Sequence, residues 1–280
     1  MNTNEPLRLS DQSKVRLTNN FSARSVFPNI DSYRVCMSFL AVVPLDYKIL
    51  EGESDESVIK FFRKKLSNDE NALRYFIDFK DFTSVWSMTN NQRKMKQSLK
   101  ASLLNQMIMT YIRLDDKSLR SIFEEVSDAG DMLCVHLSPR AMPLLINAHL
   151  CDGGFTRPLP VELLKPFRSV YTAKLFERLV RFHDTGKLVM SIETIQEVTG
   201  CKSADFSTIR RDVIKKAEAE LLKYELLQEP FEIKAHKSGR KVTKVEIFFK
   251  LTGKVTPPAK EFKEFVGNDE DFYEPEQRQA

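Results

Sequence analysis

A change of rhythm late in the chain constrains its fold more than any other feature. Phe206, Ile209, Val213, Ala217 and Leu221 recur at three and four residues, the spacing of one buried helix face. After Pro230 the period drops to two. Phe231, Ile233 and Ala235 alternate on one strand, Val245, Ile247 and Phe249 on the next, and Lys237-Ser-Gly-Arg-Lys241 supplies the turn between them. Upstream, Val170, Leu175, Leu179 and Val180 make the stripe of another helix that stops near Thr185-Gly186. Ser191 then opens a short helix through Ile192, Ile195 and Val198 that finishes at Gly200.

Three helices and then a two-stranded ribbon is the order of a winged helix, whose third helix enters the major groove while the hairpin lies along the backbone. The earlier part of the chain repeats that order more faintly. Tyr33 to Val43 reads as a buried helix, Tyr75 to Phe79 as a short strand leading into Phe82 to Met88, and Asn91 to Leu104 as a helix with Met95, Leu99 and Leu103 on one side. Strand-like stretches follow at Met107 to Arg113 and Leu119 to Val126, and Met132 to Leu137 pairs back across Asp128-Ala-Gly130. The expected class is α+β, with tandem winged helices. The expected divisions are a flexible amino-terminal arm over 1–25, a first winged-helix domain over 26–163, a second over 164–254 and an acidic disordered tail over 255–280. A proline-marked stretch from Thr156 to Pro166 marks the connection between the two domains.

Charge sharpens this division. Residues 169–254 hold 17 Lys and Arg against 12 Asp and Glu, whereas 255–280 hold 3 against 7. On the third helix of the second domain, Ser207, Thr208, Arg211 and Lys215 project away from the apolar face, with Lys202 just ahead of it. Arginine grips guanine edges or phosphate with two hydrogen bonds, lysine adds a point charge, and hydroxyls serve either role. Arg210 falls near the edge of the apolar face, where it either reads DNA or is tied to a carboxylate. Asp212, Glu218 and Glu220 fit an ordinary solvated helix face equally well. The hairpin tips the balance: Lys234, His236, Lys237, Arg240, Lys241 and Lys244 crowd donors around one turn, opposed by Glu232 and Glu246. In the first domain Arg93, Lys96 and Lys100 share one helical face, open to phosphate or to solvent alike.

Other classes find little support. Cys36, Cys134, Cys151 and Cys201 lack zinc-ligand spacing, as do the four scattered histidines. With 9 glycines, no nucleotide-cradling loop is present. No apolar run approaches the roughly 20 residues of a membrane helix, and the first residues lack a signal core. The residues therefore point to a reducing compartment, no metal, no cofactor and no catalytic site.

The run from Leu164 to Leu179, with Ser169-Val-Tyr171 and Leu175-Phe-Glu177, resembles the signature of plasmid replication initiators of the iteron-binding Rep family. Asp205 to Ala217 is similar to that family's recognition helix, and Lys237 to Lys241 with Val245 to Phe249 to its closing hairpin. Met132 to Pro139, followed by Met142 to Leu145, resembles the strand and helix that end the family's first winged helix. The resemblance implies a cytoplasmic, plasmid-associated bacterial protein that binds repeated origin sequences in duplex DNA, helps open an AT-rich segment, and recruits the host initiator and replicative helicase. It further implies a homodimer that binds an operator and represses its own promoter. Base reading then falls on Ser207, Arg210 and Arg211, and phosphate binding on the wing lysines. Leu7, Leu9 and Leu17 make no heptad zipper. A winged-helix transcriptional regulator without a replication role is the alternative.

Overall fold

The computed structural model describes residues 5–88, 110–114, 118–148 and 158–255. Arg93, Lys96 and Lys100 lie outside the described residues, as does the acidic tail from residue 256 onward.

The second unit is built as a chain of capped helices around one small sheet. Ser169 accepts the Tyr171 N–H at 3.1 Å and opens the helix Val170–Arg181. That helix buries Leu175, Phe176 and Leu179 completely. Gly186 turns the chain with φ +60°, and a Cβ there would stand 3.0 Å from the Phe249 carbonyl oxygen, so both backbone sign and space favour glycine. A strand, Lys187–Ser191, follows, and its last residue is also the cap of the next helix, Ile192–Thr199. Gly200, in the left-handed region at φ 78°, ends that helix. The final helical stretch runs through Phe206–Ile209, a π-turn at Arg210–Ile214, and Lys215–Lys223. The hairpin Glu232–Ser238 with Lys241–Phe248 closes the unit.

The sheet has three strands, not the two expected. Lys187–Ser191 pairs antiparallel with Lys241–Phe248, from Lys187 opposite Phe248 to Ser191 opposite Lys244. Leu188 and Met190 face the core while Val189 faces out. Two inward residues are too brief a period to see in sequence, and the strand runs straight into a helix cap.

The first unit follows the same plan. A helix at Asp55–Asn68 precedes a strand at Arg74–Asp78, a short helix at Phe79–Val85, and later the hairpin Phe123–Ala129 with Met132–Leu137. Here too the first strand pairs with the last, and the last with the middle one. The opening helix of this repeat is therefore Asp55–Asn68. The buried helix read at Tyr33 to Val43 exists as Ile30–Val42, but it stands outside the repeat and packs against Lys14–Val15 and Val161–Leu164. A further sheet joins Ser25–Val26, Tyr111–Arg113 and Leu119–Ser121.

The expected flexible arm is not an arm over residues 5–25. The Leu7 N–H donates to the Phe76 carbonyl at 2.7 Å, adding a parallel bridge to the first unit's sheet. Lys14–Val15 pairs with Leu159–Pro160, and Thr18 caps a helix at Asn19–Arg24. Val15 and Phe21 are fully buried. Extended segments that insert apolar residues singly carry no helical or strand period, so sequence patterning reads them as loose. The proline-marked connection is equally tight: Val161, Leu164 and Phe167 are all fully buried. Among the described residues no helix is long and apolar enough to cross a membrane.

Candidate nucleic-acid interface

The helical stretch after Asp205 begins with a dense cap. The Asp205 carboxylate accepts the Thr208 N–H at 2.9 Å, the Thr208 hydroxyl at 2.9 Å and the Ser207 hydroxyl. The Ser207 hydroxyl, then the Thr208 amide and hydroxyl, hold this carboxyl down at about 2. Both hydroxyl protons are thus spent on the cap, and only the hydroxyl lone pairs of Ser207 and Thr208 face outward unless the cap is exchanged for another acceptor.

The π-turn that follows decides which basic groups are free. It carries Val213 and Ile214, consecutive residues, both fully into the core. On its outer side Arg210 is exposed and makes no hydrogen bond or ion pair among the described residues. Arg211 instead folds onto its neighbour, donating from Nε at 3.1 Å and from a terminal nitrogen at 2.7 Å to the two oxygens of Asp212. The arginine tied to a carboxylate is therefore Arg211, while the one placed near the apolar edge is free. Lys216 adds a second cation to Asp212 at 3.1 Å, and the Arg211 and Lys216 hydrogen bonds hold that carboxyl at about 2. Because Arg211 is 72% exposed, this pair is cheap to exchange for phosphate. Lys215 reaches Glu218 at 2.7 Å.

Phe206, Ser207, Arg210, Arg211 and Lys215 line one shallow depression of about 360 Å³. This brings together most of the helix residues expected to read DNA. Lys202, exposed and ahead of the helix, is not among its lining residues.

Glu218, which the sequence places on a solvated helix face, is buried. It is 8% exposed, and its second oxygen accepts the Phe231 N–H at 2.7 Å. A buried carboxylate therefore fixes the start of the wing hairpin to the helix beside it. A mid-helix glutamate resembles any solvated one in sequence, and only the fold reveals this partner.

The hairpin itself projects. Pairing with the third strand ends at Lys244, opposite His236, so the ribbon from Lys237 to Thr243 stands on two strands, with most of its residues exposed. A bulge between His236 and Lys237 and the positive φ of Gly239, 61°, shape its tip. Lys237, Arg240, Lys241 and Lys244 have no ion pair among the described residues. Lys234 is engaged, 3.1 Å from Glu232 and 4.7 Å from the Phe248 ring centre. His236 lies 3.4 Å from Glu246, which Lys187 also approaches at 3.3 Å. The acids at the ribbon base are paired, whereas the cations toward its tip make no ion pair among the described residues, Lys241 meeting Glu193 only at longer range. That is the charge distribution of a phosphate-binding arm.

Among the described residues there is no group of three or more His, Cys, Asp or Glu side chains that could hold a metal ion. Cys36, Cys134 and Cys201 are buried free thiols, and burial pushes the Cys36 thiol up.

Comparison with known proteins places this geometry. Residues 191–249 match the family model described as initiator Rep protein, second winged helix. No curated protein sequence matches the chain. Among solved structures, the Pi initiator protein in complex with iteron DNA is similar at a TM-score of 0.61 and 16% identity, over 87% of this chain and 99% of that one. Domains 2 and 3 of RctB align at a TM-score of 0.40 and 11% identity, over 70% of this chain and 81% of that one. The chain has the fold of a tandem winged-helix protein, and residues 191–249 are similar to the second winged helix of initiator Rep proteins.

Proposed function

We propose that this chain is a plasmid replication initiator that binds repeated duplex sequences at an origin through its winged helices. The observation that carries this reading is the repeated winged-helix order in a chain whose second copy matches the initiator Rep model and bears a projecting basic ribbon. That the similar Pi protein was solved with iteron DNA supports the choice of repeats as the target. In this reading Arg210 reads base edges from the helix flank, and Arg211 exchanges Asp212 for a phosphate or base. Lys237, Arg240, Lys241 and Lys244 bind backbone beside the groove.

The reaction has no covalent step. Binding energy bends and destabilises the duplex, and opening of an adjacent AT-rich segment follows, with recruitment of the host initiator and replicative helicase. A dimeric form represses the protein's own promoter, and the protein works in the bacterial cytoplasm on its plasmid. Footprinting of the protein on DNA flanking its own gene, at two salt concentrations, tests this. Protection over evenly spaced direct repeats, weakening steeply with salt, is the expected result. Protection of a lone inverted repeat, together with failure to support replication of a plasmid carrying the flanking DNA, would make it a transcriptional regulator instead.

A further inference from the structure

Between the two units lies a buried polar cluster that takes no part in DNA reading by the third helix and wing. Lys174 and Glu177, one turn apart on the second unit's opening helix, are 1% and 3% exposed at their side chains and stand 3.1 Å from each other. Lys174 Nζ also donates to the Ser22 carbonyl and, at 2.9 Å, to the Ser25 hydroxyl. Glu177 accepts the Ser22 hydroxyl at 2.6 Å on one oxygen and the Tyr33 phenol at 2.7 Å on the other. Every proton of the ammonium and both carboxylate oxygens are therefore matched. Phe27 stands 5.7 Å from the ammonium, and a cavity of only about 40 Å³ adjoins Ser22 and Glu177.

A buried ion pair costs more in desolvation than an apolar contact of the same volume, and breaking one partner away from it is strongly destabilising, so it favours a single arrangement of the segments that hold it. The arrangement here joins the units. The segment that carries Ser22 and Ser25 also bonds through Leu7 to the first unit's sheet and through Lys14–Val15 to the connection. Arg34, on the Tyr33 helix, donates to the Phe167 carbonyl at 2.9 Å.

We propose that residues 5–33 form a strap which, through Ser22, Ser25 and Tyr33 on Lys174 and Glu177, locks the spacing of the two winged helices and so makes these positioning residues for DNA reading. This rests on the function proposed above. With the lock intact, binding by one unit presents the other to the same duplex at high effective concentration.

The test uses the full chain carrying Tyr33→Phe or Ser22→Ala, each of which removes one hydrogen bond and keeps the packing. Spin labels at Glu70→Cys and Glu229→Cys, in a Cys151→Ser background, report the distance between units without DNA. Binding is then measured on a whole footprinted repeat and on a shorter duplex that keeps only the part cleaved by an iron chelate tethered to Ser238→Cys of the full chain. The expected result is a broadened distance distribution and about a tenfold loss on the whole repeat, with the shorter duplex bound as before. A distribution as narrow as the parent's overturns the lock. Equal losses on both duplexes overturn the positioning role in favour of a merely structural one. Absence of specific binding by the parent protein is a failure of the proposed function, which the distance measurement registers separately.

Discussion

The two winged-helix units share one strand order and carry opposite hairpins. In the first, Phe123–Ala129 and Met132–Leu137 bear Glu124, Glu125 and Asp128, with Asp131 in the turn and no lysine or arginine. The cross-sheet ion pair there, Arg74 to Glu125 at 3.0 Å, draws its cation from a neighbouring strand. In the second, five lysines and arginines between Lys234 and Lys244 face a ribbon base with two glutamates. The same backbone plan thus supports one hairpin that would repel a phosphate backbone and one that would grip it. Fold alone does not assign a wing to DNA; the side chains do.

The largest way to break this contrast is to neutralise the second ribbon. Lys237→Ala, Arg240→Ala and Lys241→Ala together should weaken binding to every duplex alike, and the salt slope should flatten by about one for each phosphate no longer neutralised. Glu124→Gln with Glu125→Gln in the first hairpin should leave affinity unchanged or slightly raised. Titrations at several salt concentrations decide both.

Next in size is the helix. Arg210→Ala should cost about 1–3 kcal/mol in discrimination between specific and random duplex and leave stability unaltered, because the side chain is exposed and has no ion pair among the described residues. Arg211→Ala should relax sequence preference less, since its guanidinium must first leave Asp212. Equal losses on specific and random DNA for Arg210→Ala would remove it from base reading.

Glycines compare the two scaffolds. Gly186→Ala meets both a positive φ and the Phe249 carbonyl at 3.0 Å, and should destabilise by about 2 kcal/mol or more. Gly130→Ala, in the first unit's hairpin turn, meets only the positive φ, with nothing within 4 Å, and should cost about 1 kcal/mol. Denaturant midpoints at unchanged slope would read both.

Much of the second unit was legible because its helices and ribbon each span enough residues to establish a period, from Phe206 to Leu221 and from Phe231 to Phe249. The strand Lys187–Ser191 was not, with only Leu188 and Met190 turned inward. The first unit's opening helix was missed for a similar reason. Val58 and Phe62 are its buried apolar residues, set among Lys60, Arg63 and Lys64. The pairing of Arg211 with its neighbour is not legible in sequence, because adjacent helix positions do not ordinarily face each other. The Arg211 side chain nonetheless curls back to Asp212 in the π-turn. Nothing in a sequence pattern marks Lys174 as a lysine without solvent, since its burial comes from residues about 150 positions away.

The most direct measurement tethers a DNA-cleaving iron chelate to Ser238→Cys at the ribbon tip and, separately, to Glu124→Cys on the first hairpin. Each protein is then bound to the DNA protected in footprinting. Cleavage within the protected repeats from Ser238→Cys, with none from Glu124→Cys, is the expected result. Cleavage from Glu124→Cys with none from Ser238→Cys would contradict the assignment of the basic ribbon as the DNA-binding wing.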